Sequence, residues 1–169
     1  MNETVRVRFA PSPTGYLHVG GLRTALYDYL LARRLGGTWV LRIEDTDRNR
    51  QVAGAEETMM AALRWCGLEW DEGPDKGGPY GPYRQSERLP LYRAAVDTLL
   101  AQGDAYPCFC SPERLDAMRK SAQAEGRDEK YDRACLHLAP AEVQARLAAG
   151  ETHTVRLKVP AGETLVLDD

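Results

Sequence analysis

The chain has 169 residues, 43% of them hydrophobic and 28% charged, a balance that suits a globular domain with a buried core rather than a disordered tract. The formal net charge of −3 gives no overall pull on a polyanion, although an average can hide a local basic face. Residues 1–8 are polar and mixed in charge, and no apolar run reaches bilayer length, which argues against secretion and membrane spanning and gives the expectation of a cytoplasmic protein.

Val5 to Phe9 alternates Val-Arg-Val-Arg-Phe and predicts a strand, and Pro11, Pro13 and Gly15 force a loop after it. Leu22, Ala25, Leu26, Tyr29, Leu30 and Arg33 recur at helical spacing, with Gly36-Gly37 ending the helix, and Trp39 to Ile43 reads as a second strand. Strand, helix and strand with short junctions make a βαβ unit with parallel strands. A helix is expected over 53–66 with Cys66 on its apolar face, then a Gly/Pro loop over 73–82. Ser86 is placed to cap a helix that runs to Gly103. Beyond it, 105–109 reads as a strand, and Ser111-Pro112-Glu113 opens another helix. Residues 123–132 loop out, 141–149 form a helix, and 152–159 and 164–167 read as two strands. The fold class is therefore α/β. A Rossmann-like parallel sheet occupies 1–103, and a smaller α/β insert occupies 104–169, with the last strand cut at Leu167-Asp168-Asp169.

Three strings concentrate the chemistry. Arg8 to Gly21, Arg-Phe-Ala-Pro-Ser-Pro-Thr-Gly-Tyr-Leu-His-Val-Gly-Gly, joins the first strand to the first helix. A helix start offers free N–H groups and a positive dipole end to phosphate. Gly20 and Gly21 clear room for close approach, and His18 can donate a hydrogen bond to a phosphate oxygen. Leu41 to Arg48 (Leu-Arg-Ile-Glu-Asp-Thr-Asp-Arg) lies at the carboxyl end of the second strand, where open α/β sheets bind ligands. Gly81 to Arg88 (Gly-Pro-Tyr-Arg-Gln-Ser-Glu-Arg) is the third string. Read singly, the first two are turn punctuation and a polar loop.

Together the strings resemble the signatures of glutamyl-tRNA synthetases, a family of class I aminoacyl-tRNA synthetases, and the resemblance covers nearly the whole chain. It departs from the general class I signature where the second histidine is Gly21. The resemblance implies that Arg8, Ala10, Ser12 and Glu44 bind glutamate, with Arg8 on the side-chain carboxylate and Glu44 on the α-ammonium group. It implies that Thr14, His18, Gly20 and Gly21 hold ATP, that His18 is catalytic, and that Mg²⁺ accompanies the phosphates. The implied activity is formation of glutamyl-adenylate and transfer to the 3′ end of tRNA-Glu by a monomer. The second signature, of the Lys-Met-Ser-Lys-Ser type, does not occur in these residues, so the 169 residues are expected to be part of a longer enzyme and inactive alone. A paralogue acting on queuosine in tRNA-Asp, and a non-catalytic nucleotide- or RNA-binding half-domain, are the alternatives.

Cys108-Phe109-Cys110 and Cys135-Leu136-His137 flank a polar stretch. Three thiolates and an imidazole suit tetrahedral zinc, but buried packing of small thiols accounts for the spacing equally well. The family resemblance favours a structural Zn²⁺ on Cys108, Cys110, Cys135 and His137, in an insert that meets the tRNA acceptor stem. Arg114, Arg119, Lys120, Arg127, Lys130 and Arg133 are then candidates for phosphate contacts.

Overall fold

A computed structural model describes residues 5–167. The chain divides into two compact units, one through Leu91 and one from Tyr92, so the division falls ahead of Gly103.

In the first unit, β1 (Arg6–Phe9) and β2 (Thr38–Leu41) are parallel, pairing Arg6 with Thr38 and Phe9 with Leu41. Between them runs α1 (Val19–Arg34). Gly36, at φ +61, turns the chain after α1, a backbone state open to glycine. At Gly37 a Cβ would lie 2.3 Å from the Val5 carbonyl oxygen, so only glycine lets β2 start against β1. The β2 edge away from β1 is continued by parallel bridges from Val40 to Glu72 and from Ile43 to Arg84.

The two-residue period of the strands sorts the side chains. Phe9, Trp39, Leu41 and Ile43 join Ala25 and Ala32 of α1 in the core. Arg6, Arg8 and Arg42 project to the other face. Met59 and Leu63 of α2 (Ala55–Trp65), with Leu68 and Trp70, complete the core. Only part of the apolar stripe expected on α1 is buried: Leu26 and Leu30 are exposed. Cys66, expected in the core, is exposed. It is the C-cap of α2, beyond the last helical turn.

A 3-10 turn, Gln85–Arg88, leads into α3 (Leu89–Gln102). Its N-cap is Arg84, so the expected capping role of Ser86 does not hold.

In the second unit, β3 (Ala105–Cys108) and β4 (Thr154–Leu157) are antiparallel, with Tyr106 opposite Arg156. Ser111 caps α4 (Pro112–Ala124) by accepting the Arg114 N–H at 3.2 Å, as its sequence predicts. A 3-10 turn, Ala134–His137, and α5 (Pro140–Ala148) follow. Residues 164–167 form no strand, and Leu165, Val166 and Leu167 are about nine-tenths exposed. An apolar, β-prone segment without a ladder partner does not hold a strand. Asp168 and Asp169 lie outside the described residues.

Candidate active site

The ladder between β1 and β2 runs on past both strands. The Arg42 N–H donates to the Phe9 carbonyl at 3.0 Å, the Glu44 N–H to Pro11 at 2.9 Å and the Val52 N–H to Pro13 at 3.0 Å. Proline keeps a carbonyl acceptor while lacking a donor, and both prolines are used that way here. The loop carrying Ala10, Ser12 and Thr14 is thereby held against the segment carrying Glu44. Ser12 is exposed, and Ala10 and Thr14 are half-buried.

His18 is the N-cap of α1, and its Nδ1 accepts the Gly20 N–H at 3.1 Å. With Nδ1 so engaged, hydrogen-bond complementarity puts the proton of the neutral ring on Nε2, which can donate to a ligand. No acidic residue lies in the first turn of α1, so nothing there offsets the positive end of the helix dipole. A Cβ at Gly20 would lie 2.8 Å from His18 Cε1, and one at Gly21 would lie 3.0 Å from Leu17 Cδ1. Gly20 thus leaves room for the imidazole as well as for a ligand. No hydrogen bond among the described residues joins His18 to Arg8 or Glu44; the two groups are tied through the backbone of 11–13.

Arg8 and Glu44 are brought together. Arg8 Nη1 lies 3.4 Å from Glu44 Oε1, and Arg42 Nη2 lies 3.5 Å from the same oxygen. Arg8 is 42% exposed and Glu44 34%, so both charges can be reached by a solute. Arg8 and Arg42 line a cavity of about 400 Å³ with Arg6, Arg88, Tyr80 and Tyr83.

One wall of that cavity is a network not evident in the sequence. Arg6 grips buried Glu72 through two hydrogen bonds of 2.7 and 2.8 Å. The Tyr83 hydroxyl donates to the same carboxylate at 2.5 Å, and Arg6 lies over the Tyr80 ring at 4.5 Å. The Arg6 hydrogen bond holds the Glu72 carboxyl below its ordinary range against the opposing effect of burial, with Tyr83 adding to it. Arg88 donates to the Tyr80 and Pro82 carbonyls. The second and third strings are also joined, Ser86 donating twice to Asp45, and Arg84 of the third string is forked onto Glu56 of α2. Burial pushes the Asp45 carboxyl up, but the Ser86 donors and the Arg84 charge hold it below its ordinary value.

In the second unit the thiol sulfurs of Cys108, Cys110 and Cys135 lie within 4.8 Å of one another, and His137 is not in that group. The fourth polar atom at the cluster is the Tyr131 hydroxyl, 3.2 Å from Cys108 Sγ and 3.3 Å from Cys110 Sγ. Burial pushes the Cys108 thiol up, but contacts from Tyr131 and Arg156 outweigh it and lower the value to about 6. Cys110 is pushed up by burial and by its thiol neighbours. Three convergent sulfurs in this electropositive setting fit a thiophilic cation.

The basic residues of α4 and the loop after it are largely matched by acids. Arg114 pairs with Asp132, Arg119 with Asp116 and Glu129, Lys120 with Asp116, and Arg127 with Glu125.

The family described as class I tRNA synthetases for E and Q, catalytic domain, matches residues 4–169. The glutamate–tRNA ligase of Ectopseudomonas mendocina is 54% identical over 166 residues, 98% of this chain and 34% of that protein. That of Geobacillus thermodenitrificans is 53% identical over 100% of this chain and 35% of its own length. The crystal structure of the glutamate–tRNA synthetase of Elizabethkingia anophelis superposes with a TM-score of 0.91 at 46% identity, over 99% of this chain and 35% of that one. The chain spans about a third of the length of the curated relatives it matches.

Proposed function

Since the chain belongs to the class I tRNA synthetases for E and Q, we propose that it supplies the glutamate- and ATP-binding part of a ligase that charges tRNA-Glu in the cytoplasm. The observation that carries this reading is the Arg8–Glu44 pair, solvent-accessible and held by the extended ladder beside the loop that leads to His18. An arginine next to a carboxylate is complementary to an amino acid with a side-chain carboxylate. On entry, Arg8 exchanges Glu44 for the γ-carboxylate, whose two oxygens match its planar fork. Glu44 then accepts from the α-ammonium group, and Arg42 keeps it ionised and aimed. Ala10 and Ser12 form the adjoining wall.

Thr14, His18, Gly20 and Gly21 take the triphosphate. His18 Nε2–H and the free N–H groups of the first turn donate to phosphate oxygens as negative charge builds. Mg²⁺ accompanying the triphosphate beside Thr14, His18, Gly20 and Gly21 would supply further neutralisation of phosphate charge. The glutamate α-carboxylate attacks the α-phosphorus, and pyrophosphate leaves. The 3′-terminal hydroxyl of tRNA then attacks the acyl carbon and AMP leaves. The protein makes no covalent bond in either step; it positions the reactants and stabilises charge.

Residues 1–103 are the catalytic half-domain in this reading, and 104–169 belong to the unit that meets the acceptor stem. Cys108, Cys110 and Cys135 hold a structural zinc ion whose role is to fix the loops that carry them. Calorimetric titration of the chain with L-glutamate in the presence of ATP and Mg²⁺ tests the site. Saturable binding that L-aspartate does not match, and that Glu44→Gln weakens by about tenfold, is the expected result. Heat that does not saturate, or that is indifferent to Glu44→Gln, rejects the assignment.

A further inference from the structure

The Glu44 carboxylate is loosely held by its own contacts. Arg8 Nη1 lies 3.4 Å from it and Arg42 Nη2 lies 3.5 Å from it, both longer than a charge-assisted hydrogen bond. Its side chain is about a third exposed. The carboxylate keeps its place for a ligand, then, only as far as the backbone beneath it is fixed.

That backbone is gripped at three successive residues. The Glu44 N–H donates to the Pro11 carbonyl at 2.9 Å. At the residue before it, the Ile43 N–H donates to the Tyr83 carbonyl and the Ile43 carbonyl accepts the Gln85 N–H, both at 2.9 Å. At the residue after it, the Asp45 carboxylate accepts the Ser86 N–H at 2.8 Å and the Ser86 hydroxyl at 2.5 Å. The Asp45 carbonyl accepts the Gln51 side-chain amide at 2.9 Å. Ile43 and Asp45 thus bind the third string, while Glu44 between them binds the first. The third string is anchored in its turn, because Arg84 is forked onto Glu56 of α2.

Resting on the reading of Glu44 given above, we propose that Asp45 and Ser86 are positioning residues for the α-ammonium group of the substrate. They act through Glu44 and touch no substrate atom. Arg8 stands on β1 opposite Val40 and takes no hydrogen bond from this clamp. The two ends of the amino acid are therefore held by separately fixed segments. Loosening Asp45 from Ser86 lets Glu44 drift from the ammonium group, and small misplacements of a binding group are costly. The hold of Arg8 on the side-chain carboxylate is left intact. The clamp thereby sets the preference for an α-amino acid over the same dicarboxylate without nitrogen.

Calorimetric titration of the chain with L-glutamate and with glutarate, each in the presence of ATP and Mg²⁺, tests this. Glutarate has both carboxylates and lacks the ammonium group. Ser86→Ala is expected to weaken L-glutamate about fivefold and glutarate less than about twofold. Gly37→Ala destabilises the same unit away from the clamp and is expected to keep the wild-type ratio of the two affinities. The proposal is overturned if Ser86→Ala weakens both ligands alike or neither, or if Gly37→Ala shifts the ratio as far as Ser86→Ala does. Glu44→Gln separates the two levels of the argument. A ratio that collapses in Glu44→Gln but holds in Ser86→Ala removes only the clamp. A ratio unchanged in Glu44→Gln, or a wild-type chain that binds neither ligand, removes the reading of Glu44 and the clamp with it.

Discussion

Asp45 accepts both donors of Ser86, the backbone N–H at 2.8 Å and the hydroxyl at 2.5 Å. The two residues are far apart in sequence and lie in two of the three strings. They fasten the strand-end segment that carries Glu44 to the turn that opens α3, and Arg84 on Glu56 ties the start of the same turn to α2. Asp45→Asn keeps the shape but removes the charge, and Ser86→Ala removes the hydroxyl donor. Each lowers the free energy of unfolding by about 1–2 kcal/mol, read from the urea midpoint. The double variant loses less than the sum, because both changes break one contact.

How far the sequence could be read depended on the range of the interaction. The helices α1 and α2, the strands β1 and β2 and the Ser111 cap rest on local period and local hydrogen bonds, and these were legible. Ser86 was misread because a serine before an apolar run looks like a cap, whereas its partner Asp45 is distant in sequence. Cys66 follows the apolar spacing of Ala55, Met59 and Leu63, but the helix ends before it. Residues 164–167, Thr-Leu-Val-Leu, have the β-prone composition of a strand but no ladder partner among the described residues. Pairing of Lys120 with Asp116 follows an (i, i+4) rule visible in sequence, so part of the neutralisation of α4 was foreseeable. The Arg6–Glu72–Tyr83 network was not, since three segments must meet to form it.

Glu72 makes the fold sensitive to acid. Its carboxyl is held low, chiefly by Arg6 and then by Tyr83. A group depressed in the folded state stabilises above its ordinary range, and that stabilisation is lost as pH falls through the folded value. Urea midpoints are therefore level near neutrality and decline below the usual glutamate range. Glu72→Gln lowers the neutral midpoint and flattens this decline. Glu72→Ala leaves the Arg6 fork unmatched and lowers unfolding free energy by about 2–4 kcal/mol. An unchanged acid limb in Glu72→Gln assigns the effect to other carboxylates.

Gly37→Ala tests the strand junction. The added methyl would meet backbone, the Val5 carbonyl oxygen at 2.3 Å, and backbone in a ladder does not step aside as a flexible side chain does. The Thr38 N–H donates to that same carbonyl at 2.8 Å, so relief of the clash also breaks the first rung between β1 and β2. A loss of about 2–3 kcal/mol follows, measured as a drop in melting temperature. Gly15→Ala, where a Cβ meets nothing within 4 Å, is the control and leaves the melting temperature near wild type.

The thiol cluster makes a prediction about metal that separates the two ligand sets. The family resemblance implied Cys108, Cys110, Cys135 and His137 as ligands. The folded chain groups the three sulfurs with the Tyr131 hydroxyl and leaves the His137 imidazole outside. Chain purified without chelator is expected to carry one zinc ion, counted by native mass spectrometry, and to lose thermal stability when the ion is stripped. Cys110→Ser and Cys135→Ser each abolish retention, because two sulfurs do not replace three. His137→Ala retains the metal. Tyr131→Phe weakens retention by removing the hydroxyl, while it keeps the ring on which the Arg156 guanidinium lies. Loss of zinc in His137→Ala alone restores the ligand set implied by the resemblance, and it requires the turn at Ala134–His137 to move when metal binds. Purified chain without metal, whose melting temperature zinc does not raise, leaves the three cysteines as packed thiols.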